Sequence, residues 1–477
     1  GLNQTSMIEQ TNLLAPSDSI SVTERIITGF SDLAWGTPLL VLLLGGGLFF
    51  LFYSRLLPLR YFRHAIAILL GRYDDPNEPG QISHYQALST ALAATVGMGN
   101  ITGVALAITM GGPGAIFWMW ISALLGVTTK YFTCTLAVMF RGHDSEGELQ
   151  GGPMYVIVEG LGRNWKPLAL FFSLLGMIGV LPMFQVNQLT QVIRDVVLIP
   201  NHVEAGFTSD LVSGLVVMLL VGVVIFGGIK RIGKVTGRMV PLMVALYVLL
   251  VLFIIFTNLE KIIPCFELIF RDAFSANAVL GGSLGALVIT GVRRAAFSNE
   301  AGIGTAPMAH GAAKTNEPVR EGLVAMLGPI VDTIIVCTMT ALALIITGVW
   351  NASESNGITM TADAFNQAMP GIGPYLLTVC VAVFSVSTML SFPYYGTKCF
   401  SFIFGAKRSY IYKWFYLVSI PVGATATLGT VVGIFDGAYA LMAFPTMISA
   451  LLLSPHVVRA SKEYFNRLKS NPPYGKN

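Results

Sequence analysis

The sequence predicts an all-α polytopic membrane protein. It has eleven transmembrane helices in a five-plus-five inverted repeat, with two broken helices and one extra N-terminal helix. Three observations predict this. First, 54% of the 477 residues are hydrophobic and only 11% are charged, where a soluble domain carries about 25% charge; the mean hydropathy is +0.69. Second, eleven apolar runs of membrane-spanning length alternate with loops that are basic at every second position. Third, a glycine-interrupted apolar segment occurs twice, its glycines 205 residues apart in both cases.

The runs are 33–52, 85–110, 114–140, 167–199, 210–228, 237–257, 280–309, 323–347, 375–400, 411–432 and 438–453. Each approaches the roughly 20 apolar residues that a helix needs to cross a bilayer. The fourth is too long for one perpendicular span, so tilt or an interfacial piece is expected. Arg55, Arg60, Arg63 and Arg72 follow the first run. Arg141, Arg163 and Lys166 follow the third, and Lys230, Arg231, Lys234 and Arg238 the fifth. Lys314 and Arg320, then Lys398, Lys407, Arg408 and Lys413, then Arg459, Lys462, Arg467, Lys469 and Lys476 continue the alternation. Residues 350–373 between them hold no Lys or Arg. Cytoplasmic loops carry the excess of basic residues, so an extracytoplasmic N-terminus and a cytoplasmic C-terminus are expected. No cleavable signal sequence is expected, because the first 32 residues are polar and mixed and more spans follow the first.

The domain plan follows. Residues 1–32 form an extracytoplasmic segment, 33–58 the additional helix, and 59–84 a cytoplasmic connection. Residues 85–257 form the first five-helix repeat, 258–279 an external loop, 280–455 the second repeat, and 456–477 a cytoplasmic tail. Each repeat has an odd number of spans, so the two are inverted relative to each other. Short external helices are expected near Pro264, with Phe266, Ile269 and Phe270 on one face, and after Thr361 and Asp363, which would cap residues 364–369.

The second run contains Gly97-Met98-Gly99-Asn100, and the seventh contains Gly302-Ile303-Gly304-Thr305. Glycine is poor helix material. Irregular backbone is tolerated at membrane depth where it is buried in protein or lines a cavity. A stripe of small residues for close helix packing is the plainer reading of either segment alone. Paired breaks in two inverted halves instead point to a central site in a secondary transporter, with free amides for an anionic group and carbonyls for a cation. Arg293, Arg294 and Glu300 lie at the same depth and are costly there. An internal ion pair between Arg294 and Glu300 is expected. Ser387 and Thr388 in the ninth run supply two uncharged oxygen ligands for a small cation, unless they bond back to the preceding turn. Gln185 and Gln188 can share a face of the fourth run.

Other chemistries find little support. The five cysteines are far apart, with no metal or disulfide spacing, and the six histidines form no paired motif. Neither a nucleophile–base pair nor a nucleic-acid-binding basic patch is evident. An enzyme, a cofactor and a nucleic-acid partner are therefore not expected, and a channel is disfavoured by the lack of charged rings. The sequence gives no oligomeric state.

The stretches TVGMGNITGVALAI, GGPGAIFWMWISALLGVTTKY, GGPMY, FSNEAGIGTAPMAHGAAK and EGLVAMLGPIVDTIIVCTMTAL, in this order between about Gly45 and Arg459, resemble the alanine/glycine:cation symporter family. The resemblance implies a five-plus-five inverted-repeat fold with an extra N-terminal helix. It implies sodium-coupled import of a small neutral amino acid across a bacterial inner membrane, with sodium as the cotransported ion and lipid as surroundings. It further implies that Gly99, Asn100, Gln185, Phe297, Ser298, Asn299, Gly302 and Phe392 line the substrate site. Thr95, Gly97, Ser387 and Thr388 would hold sodium. The chain departs from the family at Leu181-Pro182-Met183-Phe184, at Thr133, at Ala295-Ala296 and at Phe392-Pro393, where many members carry Trp-Ser. Loss of the indole changes the expected pocket wall. The alternatives are a symporter for another small neutral amino acid driven by another monovalent cation, and a sensor that binds an amino acid without moving it.

Overall fold

The computed structural model describes residues 21–275, 283–352 and 357–470. The expectations for 1–20, 276–282 and 471–477 lie outside these residues. Ser21 opens α1 (Val22–Ala34) by accepting the Glu24 amide at 3.2 Å, which satisfies one free N–H of the helix start. A 45° bend leads into α2 (Thr37–Tyr53). The short α3 (Leu57–Arg60) and α4 (Phe62–Leu69) follow. Ser83 and Gln86 then form a reciprocal capping box at the start of α5 (His84–Thr95). A 41° bend separates α5 from α6 (Met98–Gly111). After α7 (Gly114–Met139), the charged turn is a hairpin of β1 (Gly142–His143) and β2 (Leu149–Gln150), with Gly142 opposite Gln150.

The first half ends with α8 (Lys166–Gly179), α9 (Met183–Val192), α10 (Phe207–Ile225), α11 (Gly228–Phe256) and the surface helix α12 (Ile262–Ala273). The second half comprises α13 (Ser283–Asn299), α14 (Thr305–His310), α15 (Pro318–Ile346), α16 (Gly357–Ala368), α17 (Gly373–Phe404), α18 (Ser409–Thr425), α19 (Leu428–Leu452) and α20 (Ser454–Ser470). Thr361 and Asp363 lie inside α16 rather than capping a helix, because the helix already starts at Gly357.

Among the described residues, seven helices are long and apolar enough to cross a membrane, and the bent pairs α1–α2 and α5–α6 qualify as two more. The other two expected spans coincide with α13 continued by α14 and with the 17-residue α18. In the second run the backbone departs from helix at Val96 and Gly97 only. Met98, Gly99 and Asn100 form the first turn of α6. The second break is longer, from Glu300 to Gly304, with Gly302 at φ +81° and Gly304 at φ +110°. The long fourth run is interrupted at Val180–Pro182, between α8 and α9; proline disfavours helix at the residue before it.

Burial separates an inner bundle from an outer one. In the most apolar windows of α7, α19 and α15, 83%, 72% and 67% of residues are buried, against 22% in α10 and 33% in α11. The outer pair therefore turns most of its apolar surface to lipid, while the inner helices enclose the breaks.

The ion pair expected between Arg294 and Glu300 does not form. Six residues on a helix turn through about 240° beyond a full circle, and α13 ends before Glu300, which sits at φ +58°. Both Arg293 and Arg294 instead reach Asp436 on α19, Arg293 Nε at 2.7 Å. Arg293 also meets Asp32 at 2.9 Å and the Ser31 hydroxyl, both on α1. The Trp35 indole N–H donates to the Asp436 carbonyl at 2.6 Å. Helix α1, which falls almost wholly within residues 1–32, thus helps to hold the charges beside the second break. Removing one partner of a buried ion pair costs about 3–5 kcal/mol, whereas an exposed pair contributes about 0–1 kcal/mol. Asp436→Ala is accordingly expected to lower the thermal midpoint of the purified protein strongly, and Asp32→Ala, whose side chain is 64% exposed, to change it little.

Candidate functional site

Helices α5 and α14 pack together, as do α6 and α13, so the two breaks face one another inside the inner bundle. Free backbone groups at the first break are satisfied by side chains. The Gly97 amide donates to Asn100 Oδ1 at 2.9 Å, and the Met98 amide donates to Gln185 Oε1 at 3.1 Å. Asn100 Nδ2 donates to the Asp332 carbonyl at 2.7 Å and to Ser298 Oγ at 3.2 Å. The Asn100 carbonyl accepts from Thr340 Oγ1 at 2.8 Å. One amide side chain thereby joins the first break to α13 and to α15.

Asn299 Nδ2 donates to Thr333 Oγ1 at 3.0 Å, and the Ser298 hydroxyl lies 3.0 Å from Cys337 Sγ. At the second break Glu300 accepts from the Thr305 hydroxyl and, at 2.9 Å, from the Tyr439 hydroxyl. This carboxylate straps the irregular backbone to α14 and α19. Gly302 and Gly304 need their positive φ, and a Cβ at Gly302 would lie 2.9 Å from Leu43. Gly302 therefore serves the turn.

The Thr388 hydroxyl donates to the Ala93 carbonyl at 2.9 Å, and the Ser387 hydroxyl donates to the Phe384 carbonyl at 2.8 Å, with Ala93 at 3.4 Å. Both hydroxyls thus meet the last turn of α5, and Thr388 Oγ1 stands where a Cβ on Gly97 would go. Thr95 Oγ1 turns back to the Leu92 carbonyl at 3.4 Å and also approaches the Asp332 carboxylate. Gly99 is likewise tight: a Cβ there would lie 3.0 Å from the Phe297 carbonyl and 3.3 Å from its ring.

Phe297 and Phe392 pack against different aromatic neighbours. The Phe297 ring meets Phe184 edge-on at 4.8 Å and Tyr439 at 5.6 Å. Phe392 contacts the Tyr395 ring at 6.4 Å instead. Gln188 packs away from the break, accepting from Thr102 Oγ1 at 2.9 Å and donating to Gln191 at 3.0 Å. Asn100, Ser298, Ser387 and Thr388 have no exposed surface, so the polar centre is sealed.

Asp332 is a central residue that reading the sequence passed over. It is fully buried on α15; Oδ1 accepts from Thr333 at 2.8 Å, and Oδ2 has no protein partner. Its signal was one carboxylate inside an apolar run, which by default marks function in a membrane. A wide π-helical stretch at Ile330–Cys337, just after Pro329, turns Asp332, Thr333 and Cys337 towards the breaks. No group of three or more His, Cys, Asp or Glu able to hold a metal ion occurs among the described residues. The first break and α15 together offer hydroxyls, carbonyls and the Asp332 carboxylate, oxygen donors of the kind that hard cations take.

Relatives match along nearly the whole chain. The sodium:alanine symporter family profile matches residues 20–474. A sodium/alanine symporter, AgcS, of Methanococcus maripaludis is 40% identical over 94% of this chain and 98% of its own. An uncharacterized transporter of Haemophilus influenzae is 43% identical over 94% of this chain and 97% of its own. The crystal structure of MhsT in complex with L-phenylalanine superposes with a TM-score of 0.54 at 14% identity, covering 81% of this chain and 99% of that one. This last likeness shows the fold, a five-plus-five inverted-repeat membrane protein with broken helices.

Because Gly97 has no room for a Cβ, Gly97→Ala is expected to cost about 1–3 kcal/mol through overpacking against Thr388 and Gln185. The thermal midpoint should fall, and ligand-induced stabilisation should disappear while helix content by circular dichroism stays unchanged.

Proposed function

The chain belongs to the sodium:alanine symporter family, and from that premise we propose that it imports a small neutral amino acid with sodium by alternating access. At the coarser level it is a sodium-coupled symporter of small amino acids and not an enzyme. The observation that carries the finer reading is the meeting of Ser387 and Thr388 with the Ala93 carbonyl at the end of α5, one turn from the amides of the first break. Sodium taken there would draw on the hydroxyl lone pairs and on carbonyls near Thr95 and Gly97. Asp332, with a carboxylate oxygen lacking a protein partner, supplies negative charge on the opposite side of Thr95.

The substrate carboxylate would meet the start of α6, where the positive end of the helix is aimed. Gln185 now occupies the Met98 amide, so binding would exchange one acceptor for another. The small side chain would lie against Phe297, which Phe184 and Tyr439 hold in place. Ser298, Asn299 and Gly302 shape the facing backbone. The basic loops are read as cytoplasmic, which puts the N-terminus outside and the C-terminus inside a bacterial inner membrane.

Sodium-gradient-driven uptake in proteoliposomes, with labelled glycine, both enantiomers of alanine, serine and threonine, tests the reading. Wild type is expected to accumulate at least one of these only with an inward sodium gradient. Accumulation that ignores sodium would overturn it. Thr388→Ala should raise the sodium concentration for half-maximal uptake about tenfold, which corresponds to about 1.4 kcal/mol. Asp332→Asn should raise it at least as much, since it removes a buried charge that the cation would neutralise.

A further inference from the structure

A second polar site lies far from the breaks, where α2 leaves the membrane. The chain turns there through two left-handed residues, Arg55 at φ +55° and Leu56 at φ +60°. Neither is glycine, so the turn is held by its surroundings at some cost in backbone strain. It folds α3 back beside α20 and encloses a groove of about 210 Å³. Arg55, Arg60 and Lys462 line it, together with Tyr53, Leu57 and Ser461. No carboxylate lines it, and among the described residues none of the three cations makes an ion pair. The floor is fixed, because Ser461 is buried and its hydroxyl lies 2.6 Å from that of Tyr131 on α7.

The groove continues into an apolar flank. Leu48, Phe49 and Phe52 on α2 are 43%, 45% and 71% exposed, and the Phe49 ring stacks on Tyr53 at 5.1 Å. Leu56, Leu59 and Phe62 are exposed around the turn. A ligand that satisfies both parts has an anionic head and an apolar tail. Juxtamembrane arginine and lysine clusters attract anionic headgroups, and basic pockets at helix ends bind them.

We propose that this groove binds one anionic phospholipid of the surrounding bilayer. Its phosphate sits among Arg55, Arg60 and Lys462, and its acyl chains run along Phe49 and Phe52. A soluble phosphate compound fits only the cationic half and leaves the aromatic flank uncovered. A zwitterionic lipid brings its own cation to three cations that make no ion pair among the described residues. The bound lipid bridges α2 and α20, which approach each other here across the end of α7.

Native mass spectrometry of the full-length protein, titrated with phosphatidylglycerol, phosphatidylcholine or inorganic phosphate, tests this. Wild type is expected to hold one phosphatidylglycerol about tenfold more tightly than phosphatidylcholine, and inorganic phosphate is expected not to displace it. Arg55→Ala/Arg60→Ala/Lys462→Ala should lose that preference, while Arg55→Lys/Arg60→Lys/Lys462→Arg and the control Lys407→Ala/Arg408→Ala should keep it. If the triple alanine variant does not fold, Arg60→Ala and Lys462→Ala singly should each weaken binding about threefold. Equal retention of both lipids, displacement by inorganic phosphate, or unchanged binding in the alanine variants would overturn the proposal.

Discussion

Backbone polar groups released inside a membrane must find partners within the protein, and the architecture around the two breaks follows from that demand. At the first break Asn100 and Gln185 take the freed amides of Gly97 and Met98. At the second, Glu300 gathers two hydroxyls and ties the loop to α14 and α19. The side chains involved come from α6, α9, α13, α15 and α19, so the breaks also organise the inner bundle. A segment held in this way can rearrange only by trading hydrogen bonds. A substrate carrying its own carboxylate and ammonium groups is suited to that trade.

The inner bundle meets the outer one across a change in chemistry. Helices α10 and α11 bury little and turn apolar faces outward. Among the described residues the buried Lys, Arg, Asp and Glu side chains are Lys130, Arg294, Glu300, Arg320, Glu321, Asp332, Lys398 and Asp436, none of them on α10 or α11. Buried charges are tolerated when paired and hydrogen-bonded. Lys398 meets that condition with the carbonyls of Gly151 and Met308, both at 2.8 Å. Asp436 meets it with two arginines, one of which is shared with α1. Helix α1 therefore does more than thicken the bundle, since its Asp32 joins a charge network whose other members lie on α13 and α19.

Much of this was legible in the sequence, because membrane spans and glycine breaks are local signals. Hydropathy and the spacing of Lys and Arg identify where the long helices lie, and the glycine pairs mark both interruptions. What escaped were relations between distant residues. Arg294 was paired with Glu300 because they are near in sequence, yet helix phase sends them apart and brings Asp436, 142 residues on, into reach. Phe392 drew attention as a departure from the family pattern, while Phe184, beside another departure, touches Phe297. Asp332 has a local signal, a carboxylate inside an apolar run, but its partners come only from the wide turn after Pro329, which brings it to Thr95.

Two carboxylates grip the broken helices on opposite sides of the breaks. Asp436 holds α13 through Arg293 and Arg294. Glu321 on α15 holds α5 through His84 and α14 through His310. Under the proposed alternating access, opening either side of the bundle would pull one grip apart and leave a charge without its partner, which is costly in a dry interior. The centre therefore needs its own source of free energy that differs between the open and closed arrangements. Under the proposed function Asp332 would provide a route to one, because it is buried, its Oδ2 accepts no hydrogen bond from the described residues, and a cation beside it would neutralise its charge. A cation that neutralised it would favour the sealed arrangement, and a substrate bridging the same breaks would favour it too. Two ligands that stabilise one state raise each other's affinity. Coupling in the proposed cycle would then arise from the shared cost of closing a polar centre, without direct contact between the ions and either grip.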